Sequence, residues 1–197
     1  MGKFDDQLTE VYAVDRAAWR QWLVNNHTTS PGVWLVYYKI KSGKSSIRYE
    51  EVVQECLCFG WIDSKTQSID AERYRQIITP RKPGSVWSKV NKQYIEELIA
   101  AGLMTDAGLA KITAAKQDGS WTFLDDIEAL IVPEDLAVAL SSNRTAKTNF
   151  DNFSNTNQKN ILYWIATAKR ATTRLKRIEQ TVDSAAQGRS PLEKRSN

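Results

Sequence analysis

The stretch Phe59–Lys92, FGWIDSKTQSIDAERYRQIITPRKPGSVWSKVNK, decides the fold class. Two runs in it, WIDSKTQSID and RYRQIIT, carry β-branched and aromatic residues in partial alternation. Asp70 to Glu72 separates them, so the spacing predicts a β-hairpin. Strict alternation puts Asp63, Lys65 and Gln67 on one face of the first strand and Ile62, Ser64 and Thr66 on the other. TPRKPGS then reads as a loop, because two prolines and a glycine bound it. Ser85 or Ser88 caps the helix that follows, whose stripe is Val90, Tyr94, Ile95, Leu98 and Ile99 and whose end is Gly102.

Upstream, Asp15 is placed to cap a short helix, RAAWRQWLVNN, with Ala18, Trp19, Trp22 and Leu23 at helical spacing. Pro31-Gly32 turns the chain into VWLVYYK, apolar on both alternating faces, which is the pattern of a central strand covered on both sides. YEEVVQECLCF follows with acids in its first turn and Val52, Val53, Cys56 and Leu57 on one stripe, and Gly60 ends it. Downstream, Thr105 caps a helix to about Gln117, closed by Asp118-Gly119. From Pro133 onward only helical patterns occur: PEDLAVALSS, NRTAKTNFDNF, NTNQKNILYWIATAK and ATTRLKRIEQTVDSAAQ, the last with Leu175, Ile178 and Val182 as its apolar stripe.

These patterns predict an α+β fold: a small mixed or antiparallel sheet with packed helices, followed by a C-terminal helical subdomain. The expected limits are 14–124 for the α+β domain and 132–187 for the helical subdomain, with frayed ends at 1–13 and 189–197. The composition shifts near 125–132, where the boundary is expected.

At 197 residues the chain is long enough to bury a sizeable core without disulfides. Its net charge of +4 is a moderate basic excess, compatible with an anionic partner and too small to argue for nucleic acid by itself. No run approaches the length of a membrane span, and MGKFDDQLTEVYAVD lacks the apolar core of a signal peptide. Cys56 and Cys58 diverge on a helix, so they form neither a redox pair nor half of a zinc site. Two free thiols point to a reducing compartment, and the expectation is a cytoplasmic protein.

The catalytic vocabulary is sparse. His27 is the only histidine and sits among polar loop residues, which excludes most His-based triads and metal sites. No glycine-rich dinucleotide loop, phosphate-binding loop or zinc-protease motif is present, so neither a metal nor a cofactor is expected. The strongest chemical pattern is cationic. Arg73, Arg75, Arg81 and Lys82 lead into Gly84, Ser85 and a helix start, which is how a chain presents guanidinium and amide groups to a phosphate or carboxylate. Trp61 and Trp87 would supply walls, and Asp63, Ser88 and Asn91 complete the candidate ligand-binding set. A second basic cluster, Lys169, Arg170, Arg174, Lys176 and Arg177, fits a helix C-terminus better than a nucleic-acid surface.

The strings GWIDSK, TPRKPGSVWSKVNK, PEDLAVAL, AKTNFDNF and YWIATAKRATTRLKRI together resemble the bacteriocin-protection, YdeI/OmpD-associated family over roughly residues 14–187. That resemblance implies an association with bacteriocin or antimicrobial-peptide resistance, hence a stress-response role, and supplies no reaction. By similarity, Gly60 to Asp63, Thr79 to Arg81, Ser85, Trp87, Ser88 and Asn91 fall in the recurring block.

Three functions compete. The first is a non-enzymatic protein that binds a small anion at the basic loop and helix N-terminus. The second is an enzyme with Asp63 as general acid or base and Arg81 with loop amides as oxyanion stabilisers, which lacks a nucleophile. Nucleic-acid binding through both basic clusters ranks last. The oligomeric state has no signature in the sequence.

Overall fold

In the computed structural model, which describes residues 5–193, the chain divides after Thr122 into two compact units. The first is built on a four-stranded mixed sheet in the order β1-β2-β4-β3. Strands β3 (Trp61–Ser68) and β4 (Arg73–Pro80) are the antiparallel hairpin expected from the sequence. Strand β2 (Val33–Tyr38) pairs antiparallel with β4 and parallel with β1 (Glu10–Tyr12), so it is an inner strand as its unbroken apolar run requires. The fold is therefore α+β.

Helices α1 (Arg16–Asn26), α2 (Tyr49–Cys58), α3 (Lys89–Ala100) and α4 (Asp106–Asp118) contribute to one core with one face of the sheet. Val33, Leu35, Tyr37, Trp61 and Ile78 point into it and meet Trp19, Leu23, Val52, Leu57, Ile95 and Leu98. The caps are the expected ones for α1 and α4, where Asp15 and Thr105 accept from Ala18 N and Gly108 N. Of the two serines considered for α3, Ser88 is the cap. Val90 and Ile99 of its expected stripe stay exposed, because the apolar arc of α3 is wider than the surface it covers. Buried Glu55 on α2 holds α1 by accepting from Arg16 (2.6 Å) and Arg20 (2.7 Å).

The other sheet face has a smaller cluster of Leu8, Trp34 and Ile77. Here residues 5–13 depart from the expected frayed end. Asp5–Gln7 forms a 3-10 turn whose Asp5 carbonyl accepts the Trp34 indole N–H at 2.9 Å, and β1 is held by its ladder to β2. A three-residue edge strand is too short to display alternation, so nothing in its residues announced it. The tail also departs over 189–193, where Ser190 is buried and its hydroxyl donates to Asn157 Oδ1 at 2.8 Å. The frayed ends expected at 1–4 and 194–197 lie outside the described residues.

The second unit contains helices only: α5 (Asp125–Glu128), α6 (Glu134–Ser141), α7 (Arg144–Asp151), α8 (Asn155–Ala166) and α9 (Ala171–Ala186). The four-residue α5 was not anticipated; the other four match the expected runs. Leu136, Leu140, Phe150, Ile161, Ile165 and Ile178 form its core. Leu175, expected on the same stripe as Ile178, is 58 % exposed.

Candidate functional site

The loop after β4 is where the cationic pattern was strongest, and Arg81 is its centre. The residue is only 3 % exposed. Its guanidinium lies over the buried Trp87 ring at 3.7 Å and donates through Nη1 to Val86 O at 3.2 Å, while Nε has no hydrogen-bond partner. Burial brings its ionisation down to about 10, with the charge on Asp63 acting in the opposite direction. At neutral pH it is a buried cation that pins its own loop, with little surface to offer a ligand.

Two amides of that loop are engaged from within the chain. Gly84 N donates to Asp118 Oδ2 at 3.0 Å, and Ser85 N and Oγ both donate to Lys82 O, at 3.2 and 2.7 Å. Asp118 also accepts from Ser120 N at 2.9 Å, and the Ser120 hydroxyl first, then these amides, hold its carboxyl below the ordinary range. An internal carboxylate thus occupies the Gly84 amide, just ahead of the amides after Ser85 that the sequence offers to an anion. Ser88 caps α3 by accepting from Asn91 N at 3.2 Å. The cavity of about 50 Å³ beside Arg81, Trp87 and Lys111 has room for a few waters and no organic ligand.

Asp63 belongs to a polar chain on the helix-covered face of the sheet. Its Oδ2 accepts from the Tyr49 hydroxyl (2.9 Å) and the Gln76 amide (2.8 Å), and Gln76 Oε1 accepts from the Tyr37 hydroxyl (3.2 Å). Burial first, and then the charge on Asp63, push Tyr49 up to about 12. Asp63 does not share a face with Gln67, contrary to strict alternation. The pairing register shifts between Asp63 and Thr66, so Asp63 opposes Ile78 while Gln67 opposes Arg75 on the other face. Lys65 pairs with Asp5 at 3.2 Å.

The remaining candidates disperse. Arg73 is at the hairpin turn, 2.8 Å from Asp70. Arg75 covers Trp34 at 4.3 Å and donates to Gln67 and Glu10. Trp61 is buried in the core and donates its indole N–H to His27 O at 3.2 Å. The structure gathers Arg81, Lys82, Ser85, Trp87 and Ser88 in one loop and leaves Arg73 and Arg75 at other places on the sheet.

What the sequence reading missed lies beside that loop. A cleft of about 570 Å³ is lined by Ser64, Lys65, Ile77, Thr79 and Pro80 of the hairpin, Arg81, Lys82 and Pro83 of the loop, and Asp5 and Pro31. The volume is that of a small-molecule site, and its lining sets Ile77 and three prolines beside polar and charged side chains. Thr79, Arg81 and Lys82 belong to the cationic string, whereas Ser64 and Lys65 come from the bulge and Asp5 from the N-terminal turn, so the wall opposite the loop depends on a register shift and a turn that the sequence pattern does not show. Among the described residues no group of three or more His, Cys, Asp or Glu side chains is placed to hold a metal, and no helix is long and apolar enough to cross a membrane.

Fold and cleft together define an α+β protein with a ligand-sized cleft at a basic loop, joined in sequence to a helical unit. The chain belongs to the family described as a domain of unknown function (DUF8412), whose model matches residues 11–111. Residues 129–188 match the model described as Bacteriocin-protection, YdeI or OmpD-Associated, which supports the resemblance seen in the sequence over the C-terminal helices. The strings GWID and TPRKPGSVWS lie instead within the first match. No curated protein and no solved structure matches the chain.

Proposed function

We propose that the first unit binds a small ligand carrying a phosphate or carboxylate in the cleft between the β3 bulge and the loop at Lys82, as a binding protein and not as an enzyme. The observation that carries the proposal is the composition of that one cleft: Lys82, Lys65 with its partner Asp5, the hydroxyl residues Ser64 and Thr79, and the apolar Ile77, Pro31 and Pro80 around about 570 Å³. Cations and hydroxyls recognise the anionic head, and the prolines and Ile77 take an apolar body. Arg81 adds positive potential from within the protein and sets the position of Lys82. Asp63, fixed by Tyr49 and Gln76, serves the hairpin's structure. The bacteriocin-protection description of the C-terminal match supports a protective role in which such binding would operate.

Isothermal titration with inorganic phosphate, citrate and a nucleoside monophosphate tests this reading. At least one should bind, and Lys82→Ala should weaken it about tenfold, which is about 1.4 kcal/mol. Lys65→Ala should act in the same direction and less, because Asp5 already offsets that charge. Equal affinity in wild type and Lys82→Ala, or no binding by any probe at millimolar concentration, would refute the cleft as an anion site.

A further inference from the structure

The second unit carries a groove that its own core does not fill. It runs between α6 and α9 with a volume of about 580 Å³. Val138 and Ala139 of α6 line one wall, and Ala171, Leu175, Ile178 and Val182 of α9 line the other. The α9 positions follow the 4-3-4 spacing of a helix-packing seam. Ile178 closes the floor, while Val138 is 64 % exposed and Leu175 58 % exposed, which is unusual for neighbouring large aliphatic side chains.

The rim is acidic. Glu179 and Asp183 stand one turn apart on α9 beside the apolar seam. Neither is in an ion pair among the described residues. The remaining rim charges cancel, since Arg174 clasps Asp135 through Nε to Oδ2 (2.6 Å) and Nη2 to Oδ1 (2.8 Å). The groove therefore offers an apolar trough with a residual negative edge.

We propose that this groove receives one amphipathic helix of a cationic partner peptide or protein, its apolar residues seated along Val138, Leu175 and Val182 and its Lys or Arg residues facing Glu179 and Asp183. A trough between two helices with seam spacing is the shape a third helix fills. The charge selects the occupant. A second copy of this chain, related by a two-fold axis, would set the same acidic edge against itself. A neutral helix would leave those carboxylates unanswered, and an anionic one would be repelled.

The experiment uses the full chain and fluorescence anisotropy of three labelled synthetic peptides. One is an amphipathic helix of Leu and Lys, the second has Lys replaced by Glu, and the third is a scramble of the first that keeps its composition and loses its apolar face. The Leu/Lys helix should bind at least about tenfold more tightly than either control. Leu175→Asp should weaken it about tenfold or more, and Glu179→Lys with Asp183→Lys should reverse the preference toward the Leu/Glu helix. These side chains are exposed, so the variants should keep the wild-type thermal midpoint. Binding of the scramble as tight as the amphipathic helix would overturn the proposal, as would binding unchanged by Leu175→Asp. A dimer in sedimentation that Leu175→Asp converts to monomer would also overturn it, assigning the groove to a second copy.

Discussion

Arg81 behaves as a flat core residue with one donor. Its guanidinium face covers Trp87, Nη1 ties Val86 O, and the charge stays buried without an ion pair among the described residues. Removing the group loses packing and a loop tie, and also relieves the cost of burying a cation. Arg81→Ala should therefore destabilise by about 2–4 kcal/mol in urea unfolding, and Arg81→Met, which keeps most of the volume, by about 1–2 kcal/mol. Arg81→Lys should resemble the alanine variant more than the wild type, because an ammonium cannot stack its plane on the indole. If Arg81→Lys were neutral, the stacking account would be wrong. A second prediction concerns Cys56 and Cys58, both buried, with burial raising each thiol above its ordinary value. Thiolate is the reactive species, so neither should react with a disulfide reagent at pH 8 in the native protein, and both should react in denaturant. Immediate reaction of one thiol in native protein would contradict the packing described for α2.

Among elements, α4 comes close against the end of α2. Thr105 donates through Oγ1 to Cys58 O at 2.6 Å, and a Cβ on Gly108 would stand 2.3 Å from Cys58 O and 2.7 Å from Leu57 O. Those are backbone atoms at the end of a buried helix, and they cannot step aside without moving α2 or α4. Gly108→Ala should cost about 2–3 kcal/mol in chemical denaturation, despite the higher helix propensity of alanine. A neutral or stabilising result would show that α4 shifts freely on α2. The same elements show what was legible beforehand. The hairpin, the inner strand and the capped helices were readable, because each is set by local residues: the turn at Asp70, the apolar run at 33–38, and Asp15 and Thr105 as caps. The β3 bulge was not, because counting alternation assumes an unbroken pleat, and the shift after Asp63 inverts the faces of everything beyond it. The cleft depends also on that bulge and on Asp5, so the cationic string shows only the wall from Thr79 to Pro83 and not the one facing it. That string did locate the loop, yet Arg81 turned inward, because a guanidinium is as able to cover an indole as to meet a ligand.

At the scale of the molecule, the boundary after Thr122 separates two cores with no shared residue, and the two family matches fall on opposite sides of it. Each part meets the requirement for folding alone, its own apolar interior. A fragment of residues 123–197 should retain helical circular dichroism and a cooperative thermal transition, and its acid response should depend on Asp135. The Arg174 guanidinium, with the Leu136 amide assisting, holds the Asp135 carboxyl below its ordinary value of 3.8. The folded state thus releases that proton more readily than the unfolded chain. The resulting stabilisation is fully present above the ordinary carboxylate range and disappears as pH falls through the lowered folded value. The melting temperature of the fragment should accordingly drop on acidification below about pH 4, and Asp135→Asn should flatten that drop while lowering stability at pH 7 by under about 1 kcal/mol, as for an exposed pair. A fragment without a cooperative transition would mean that the helical core requires the first unit. A steep acid response unchanged in Asp135→Asn would place the controlling carboxylate elsewhere in the helices.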